Sequence, residues 1–260
     1  METPLLQVNE ATIRFGGLTA VSGLSMTIGE RALAGLIGPN GAGKTTAFNL
    51  ITGVYQPTDG AITFAGKPTA GMKPHQLARL GVARTFQNIR LFGSMSVFDN
   101  VRVAVQLHRP HGIRNALWRG KHFRESEETV RAQVMELLEI FNLGRFHNKA
   151  AKSLSYGDQR RLEITRALAT KPKLLLPDEP AAGMNPTEKE ELMRLIQSIR
   201  ERYQIAILLV EHDMRVVMGI CERITVLDHG WKIAEGTPDE VKSNRKVIEA
   251  YLGDNTPIKT

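Results

Sequence analysis

The chain has 260 residues, 42% of them hydrophobic, a net charge of +7 and a single cysteine, which is enough for one or two cores and excludes an internal disulfide. Its longest apolar run, Ile205–Val210, falls far short of the ~20 residues of a membrane-spanning helix. The basic charge alone does not separate a solvated surface from one that faces nucleic acid, anionic lipid or phosphate.

The N-terminus, METPLLQVNE, lacks the basic-then-apolar design of a secretory signal, and with one cysteine we expect a reduced, cytoplasmic setting. Leu5–Phe15 alternates apolar and polar residues and reads as a strand, Leu24–Ile28 is a partner for it, and Leu33–Ile37 runs apolar into a glycine-rich turn. A helix is predicted over Thr45–Thr52, then the loop GVYQPTDG, then strand character at Ala61–Phe64. Pro74–Ala83, and Asn88 to about Arg166, read as helical, with Val130, Val134, Leu137, Leu138 and Phe141 at helical spacing. Within that stretch HRPHGIRNALWRGKHFRES, 108–126, is a basic, turn-rich elaboration. Strands return at Lys173–Leu176, Ala206–Val210 and Ile224–Leu227, the first two separated by a helical pattern over Glu188–Arg200. Alternating strands and helices imply a parallel sheet with crossover helices.

The strongest local signal is GPNGAGKT, 38–45, which satisfies G-x-x-x-x-G-K-[ST] between an apolar strand and a helix. Gly38, Gly41 and Gly43 let the backbone curl with its N–H groups inward, toward phosphate oxygens that also face the helix N-terminus. Lys44 would reach the β and γ phosphates and Thr45 would ligate Mg²⁺. This predicts nucleotide binding and nothing narrower. In SLSYGDQRRLEITRAL, Ser155 stands three residues before Asp158, a capping spacing that starts a helix with its positive pole exposed.

The signature turn LSYGDQ resembles that of ATP-binding cassette proteins, and the other cassette elements follow in order over nearly the whole chain. The resemblance implies a P-loop NTPase (RecA-like) core with an N-terminal antiparallel β subdomain, over 1–87 and 166–240, an inserted helical subdomain, 88–165, and a C-terminal tail, 241–260. It implies ATP and Mg²⁺ as cofactors. Nucleotide contacts would come from Gly38, Pro39, Asn40, Gly41, Ala42, Gly43, Lys44, Thr45 and Thr46, and from Ser155 and Gly157 of the signature turn. Phe15 is similar to the aromatic that stacks on adenine, with a plain core phenylalanine as the alternative reading. Thr45, Gln87 and Asp178 would serve the metal, Glu179 would be the general base, and His212 in LLVEHDM would contact the γ-phosphate. Adjacent acids suit this division where a strand ends and turns, since neighbours there address one ligand from two angles.

RFGGLTAV, RTFQNIRLFGSMSVFDNV, DEPAAGMNP and IAEGTP, with the ending VIEAYLG, are similar to the ATPase subunits of branched-chain amino-acid importers. Three positions depart from the common cassette pattern: Asp158 for glutamine, Asn185 for aspartate, and Pro177 for an aliphatic residue. Because a cassette's signature turn completes the phosphate site of a second protomer, the resemblance implies a homodimer or a heterodimer with a paralogous ATPase subunit. It also implies an integral membrane permease, coupled near Gln87–Asn100, and an external solute-binding protein. No nucleic acid and no C-terminal regulatory domain are expected. The solute stays open among urea, other amides and polar amino acids, with lipopolysaccharide export as a related reading. A repair ATPase would bring a long coiled coil and a translation ATPase two cassettes. A GTPase would bring N-K-x-D, but Asn148-Lys149 is followed by Ala150-Ala151. A zinc site from His108, His111 and His122 lacks cysteine or acidic partners at suitable spacing.

Overall fold

Leu174–Leu176 and Ala206–Val210 are apolar at every position because they lie inside a sheet covered on both faces, where alternation has no use. The computed structural model describes residues 4–108 and 121–252. These divide into two compact units, one built from the chain up to Arg84 and from Lys173 onward, the other Thr85–Pro172.

The first unit holds two sheets. Strands β1 (Leu6–Phe15), β2 (Leu18–Ile28), β4 (Asp59–Phe64) and β5 (Lys67–Pro68) form an antiparallel sheet in the order β2-β1-β4-β5, with Leu6 opposite Ile28. The second sheet joins β3 (Leu33–Ile37), β6 (Val82–Arg84), β7 (Leu174–Leu176), β8 (Ala206–Val210), β9 (Arg223–Asp228) and β10 (Trp231–Gly236) in the order β10-β9-β3-β8-β7-β6. All its pairings are parallel except β9 with β10. One core links the sheets: Val8 and Ile28 pack with Leu36, Leu176, Leu208 and Val210 around Phe48 and Ile51 of helix α1 (Lys44–Ile51).

Val82–Arg84 is a strand, although Pro74–Ala83 reads as helix in the sequence. Helix α2 (Pro74–Leu80) stops there because Gly81 takes φ 111°, and a β carbon at Gly81 would crowd Lys173, 3.0 Å from its Cγ. The helical reading from Asn88 also gives way: the next helix, α3, starts at Val97. Asn100, fully buried, holds the preceding loop by accepting from Phe92 N at 2.9 Å and donating to Phe92 O and Ser96 O.

The second unit packs α3 (Val97–Val105), α4 (Lys121–Ile140) and α5 (Tyr156–Ala169). Val130, Val134, Leu138 and Phe141 are buried as their spacing predicts, whereas Leu137 is half-buried at the edge of the stripe. Helix α5 runs unbroken to Ala169, so the expected boundary at 165/166 cuts a helix, and the division falls at Pro172 instead. The expected tail from 241 is helical through α8 (Pro238–Ser243) and α9 (Arg245–Leu252); α6 (Pro186–Tyr203) and α7 (Met214–Ile220) complete the first unit. The basic elaboration at 108–126 lies largely outside the described residues, as do the side chains of His108, His111 and His122. Among the described residues no helix is long and apolar enough to cross a membrane, and no three metal-ligating side chains cluster.

Candidate active site

Strand β3 feeds directly into the loop Gly38–Gly43 and helix α1, and Gly38, Gly41 and Gly43 carry φ of 154°, 82° and 96°. Gly38 tolerates no side chain, since a β carbon there would stand 2.1 Å from Leu227 O. Gly43 caps α1 in a left-handed conformation without any side-chain cap, and the first turn holds no acid. The leading N–H groups of the helix are therefore offered to an anion. Within the loop Pro39 is half-buried, Asn40 exposed and Ala42 buried; Thr45 faces solvent and Thr46 is half-buried.

Lys44 is buried and folds back on its own loop, donating through Nζ to Gly38 O at 2.7 Å and Pro39 O at 2.9 Å. Burial pushes its ammonium below the ordinary lysine value, against the pull of the Glu179 and Asp178 charges. A desolvated cation beside loop amides and two acids is an environment that exchanges carbonyl partners for phosphate oxygens readily.

Asp178 and Glu179 address this region from two directions for a backbone reason that the sequence does not display. Glu179 has φ 45°, so the chain turns at the second acid. Asp178 is buried and its Oδ2 accepts from Arg84 Nη2 at 2.7 Å; Glu179 is half-buried with Oε2 at 3.6 Å from Nδ1 of the exposed His212. Lys44, Asp178, Glu179 and His212 thus belong to one unit and one neighbourhood. Arg84 is a functional neighbour that sequence reasoning missed. The signal was a cation directly after Val82 and Ala83, hidden while those two residues read as the end of a helix.

Phe15 is 44% exposed and meets the exposed Tyr55 edge-on, ring centroids 5.1 Å apart, so the reading as a core phenylalanine does not hold. Asn185 caps α6, accepting from Glu188 N at 3.0 Å while Glu188 answers to Asn185 N at 2.8 Å. Asparagine and aspartate cap equally well, so this departure costs the helix nothing.

Gln87, Ser155 and Gly157 lie in the helical unit. Ser155 is exposed and caps α5, accepting from Asp158 N at 3.2 Å and donating to Asp158 Oδ2 at 2.8 Å. Further along the same helix the buried Arg160 donates to Phe86 O at 2.6 Å, Gln87 O at 2.8 Å and Glu163 Oε2 at 2.8 Å. Glu163 Oε1 in turn accepts from Phe86 N and Arg90 N. The exposed Gln87 is therefore held by its backbone to the same helix that begins at the signature turn.

Residues 21–182 match the ABC transporter family, and residues 232–255 match the branched-chain amino acid ATP-binding cassette transporter family. The chain is 45% identical to the high-affinity branched-chain amino acid transport ATP-binding protein BraF of Pseudomonas aeruginosa, over 98% of this chain and 100% of that one. It is 47% identical, over the same shares, to LivG of Salmonella typhimurium, which carries the same description. The lipopolysaccharide export system ATP-binding protein LptB of Haemophilus influenzae is more distant, at 32% over 90% of this chain and 91% of its own. Among solved structures, an ATP-binding cassette of an ABC transporter in its ADP conformation superposes with a TM-score of 0.83 at 30% identity, covering 97% of this chain and all of that one. The chain belongs to the ABC transporter family and is one of its ATP-hydrolysing subunits.

Proposed function

We propose that this chain hydrolyses ATP for a branched-chain amino-acid importer, working as one half of a dimer on the inner face of the cell membrane. In this reading the loop amides of Gly38–Gly43 and Lys44 bind the phosphates of ATP, and Phe15 stacks on adenine. Ser155 and Gly157 of a second protomer, identical or paralogous, close the γ-phosphate side. A separate permease and an external solute-binding protein supply the membrane path and the solute.

The oxygen-only donor set of Thr45, Asp178 and Gln87 suits Mg²⁺, which when bound neutralises charge on the transferring phosphate. Hydrolysis itself needs a base: water attacks the γ-phosphorus as the bond to the leaving ADP oxygen breaks, and Glu179 takes the proton that water loses. His212 steadies the γ-phosphate. The observation that most supports the reading is the turn at Glu179, which sets its carboxylate beside His212 while Asp178 stays with Arg84.

The test is Glu179→Gln. ATP binding is expected to survive while hydrolysis falls by roughly 10² to 10⁴, and light scattering should show an ATP-dependent dimer. Unimpaired hydrolysis by the variant would remove Glu179 from the base role. Co-purification of the permease with its solute would test the branched-chain assignment directly.

A further inference from the structure

Strand β8 is apolar throughout, yet the residue that follows it, Glu211, is an acid with 0% of its surface exposed. A buried carboxylate is tolerated only where donors meet its oxygens. Here three backbone N–H groups do so. Glu211 Oε1 accepts from Ala181 N at 2.7 Å, and Oε2 accepts from His212 N at 3.2 Å and Asp213 N at 3.4 Å.

These donors come from two places. Ala181 lies 30 residues earlier, two residues past Glu179 and inside the turn that Glu179 opens, where Ala182 N donates to Glu179 O. His212 and Asp213 begin the next loop, which is itself fixed: Asp213 caps α7 through Arg215 N at 2.9 Å and accepts from Lys189 Nζ at 2.6 Å. Burial raises the Glu211 carboxyl above the ordinary glutamate value, while the three N–H groups oppose that rise by favouring the charged form. An apolar residue would finish β8 without any of this, so packing does not explain an acid at this position.

We infer that Glu211 is a positioning residue for ATP hydrolysis: one carboxylate ties the turn behind Glu179 to the loop that carries His212, fixing those two side chains relative to each other. It rests on the proposed roles of Glu179 and His212, and Glu211 itself touches no reacting atom. Glutamine at this position keeps the shape but replaces one acceptor oxygen with an amide NH₂, which only donates. Because all three partners are donors, one arm of the clamp must open.

The test sets Glu211→Gln beside His212→Ala and the unaltered protein, reading steady-state ATPase and binding of a fluorescent ATP analogue. For Glu211→Gln, kcat is expected to fall about tenfold or more, the effect of losing one hydrogen bond to a charged group, with analogue affinity within about threefold. Parallel loss of binding and turnover would mark Glu211 as merely structural and overturn the clamp. So would kcat within twofold of the unaltered protein while His212→Ala is impaired. A fully active His212→Ala instead overturns the role given to His212. If Glu211→Gln does not fold, amide exchange in the unaltered protein decides. Ala181, His212 and Asp213 protected to within tenfold of one another support a shared clamp, and a wider spread overturns it.

Discussion

Arg84 Nη2 lies 2.7 Å from Asp178 Oδ2, with less than a tenth of either side chain exposed. The same guanidinium donates to Asn49 Oδ1 at 2.7 Å and sits over the Phe48 ring, 5.4 Å from its centroid. One cation therefore ties the edge strand, helix α1 and the acid-bearing strand. Arg84→Met leaves the Asp178 charge buried without this partner, and stability is expected to fall by about 3 to 5 kcal/mol. Arg84→Lys should lose less, keeping the charge without the two-pronged fork. Denaturant melts of both variants check this; a loss below about 1 kcal/mol for Arg84→Met would show that solvent or a rearranged neighbour replaces the ion pair.

Pro177 interrupts a ladder that continues past it. Leu175 pairs with Ile207, Asp178 bridges Val210, Val210 N donates to Pro177 O at 3.0 Å, and Glu179 N donates to Val210 O at 2.9 Å. The missing rung is the one in which an amide at 177 would face Leu208 O in a buried strand. Pro177→Leu is expected to raise stability by about 1 kcal/mol by restoring that donor. Turnover should change less than tenfold, since a larger change requires ~1.4 kcal/mol at the transition state. Melts and steady-state ATPase measure both. A destabilised variant, or a larger shift in rate, would mean that the proline sets the geometry of the acids.

Asp158 engages the Ser155 hydroxyl through Oδ2 at 2.8 Å and lies 3.5 Å from Arg161 through Oδ1. A carboxylate at the start of α5 favours the helix but opposes any anion that approaches the same positive pole. Asp158→Gln frees the hydroxyl and removes the charge. The ATP concentration at half-maximal turnover is expected to fall about two- to fivefold, the equivalent of ~0.3–1 kcal/mol, with a small loss of helix stability. An unchanged or higher half-saturating concentration would disconnect this turn from the nucleotide.

Burial, aided by the Glu222 charge, pushes the Cys221 thiol up to about 12 from 9.0. The folded chain therefore keeps a proton that the unfolded chain gives up above pH 9. Stability from this site is complete below about pH 9 and declines as pH rises toward 12, by up to ~1.4 kcal/mol per pH unit. Cys221→Ala should flatten that decline, whatever its cost in packing at neutral pH. Alkylation by iodoacetamide at pH 8 should be at least about a hundredfold slower than for a peptide thiol, because the thiolate is the nucleophile. Rapid labelling of the native protein would contradict the burial.

The ordered motifs were readable because each needs a particular residue at a fixed chain spacing: glycines where φ is positive, a lysine at the helix start, acids at a strand tip. Strands β3 and β8 were readable as unbroken apolar runs. Arg84 and Glu211 were hidden because their partners are 94 and 30 residues distant in sequence, and periodicity reports only local neighbours. Val82 and Ala83 were mistaken for helix because the strand Val82–Arg84 is too short to show a period, and its strand character comes from pairing with Leu174–Leu176. The two helices after Thr237 escaped notice for a similar reason, being 6 and 8 residues long.

The bonds from Arg160 to Phe86 O and Gln87 O have a mechanical consequence. They grip the main chain, so rotating the Gln87 side chain neither makes nor breaks them, and their donor, Arg160, is buried. The backbone at Gln87 is in effect riveted to the shaft that starts at Ser155. A push on one end of that shaft arrives at the other as translation of the whole piece, with no relay of rotamer changes between them.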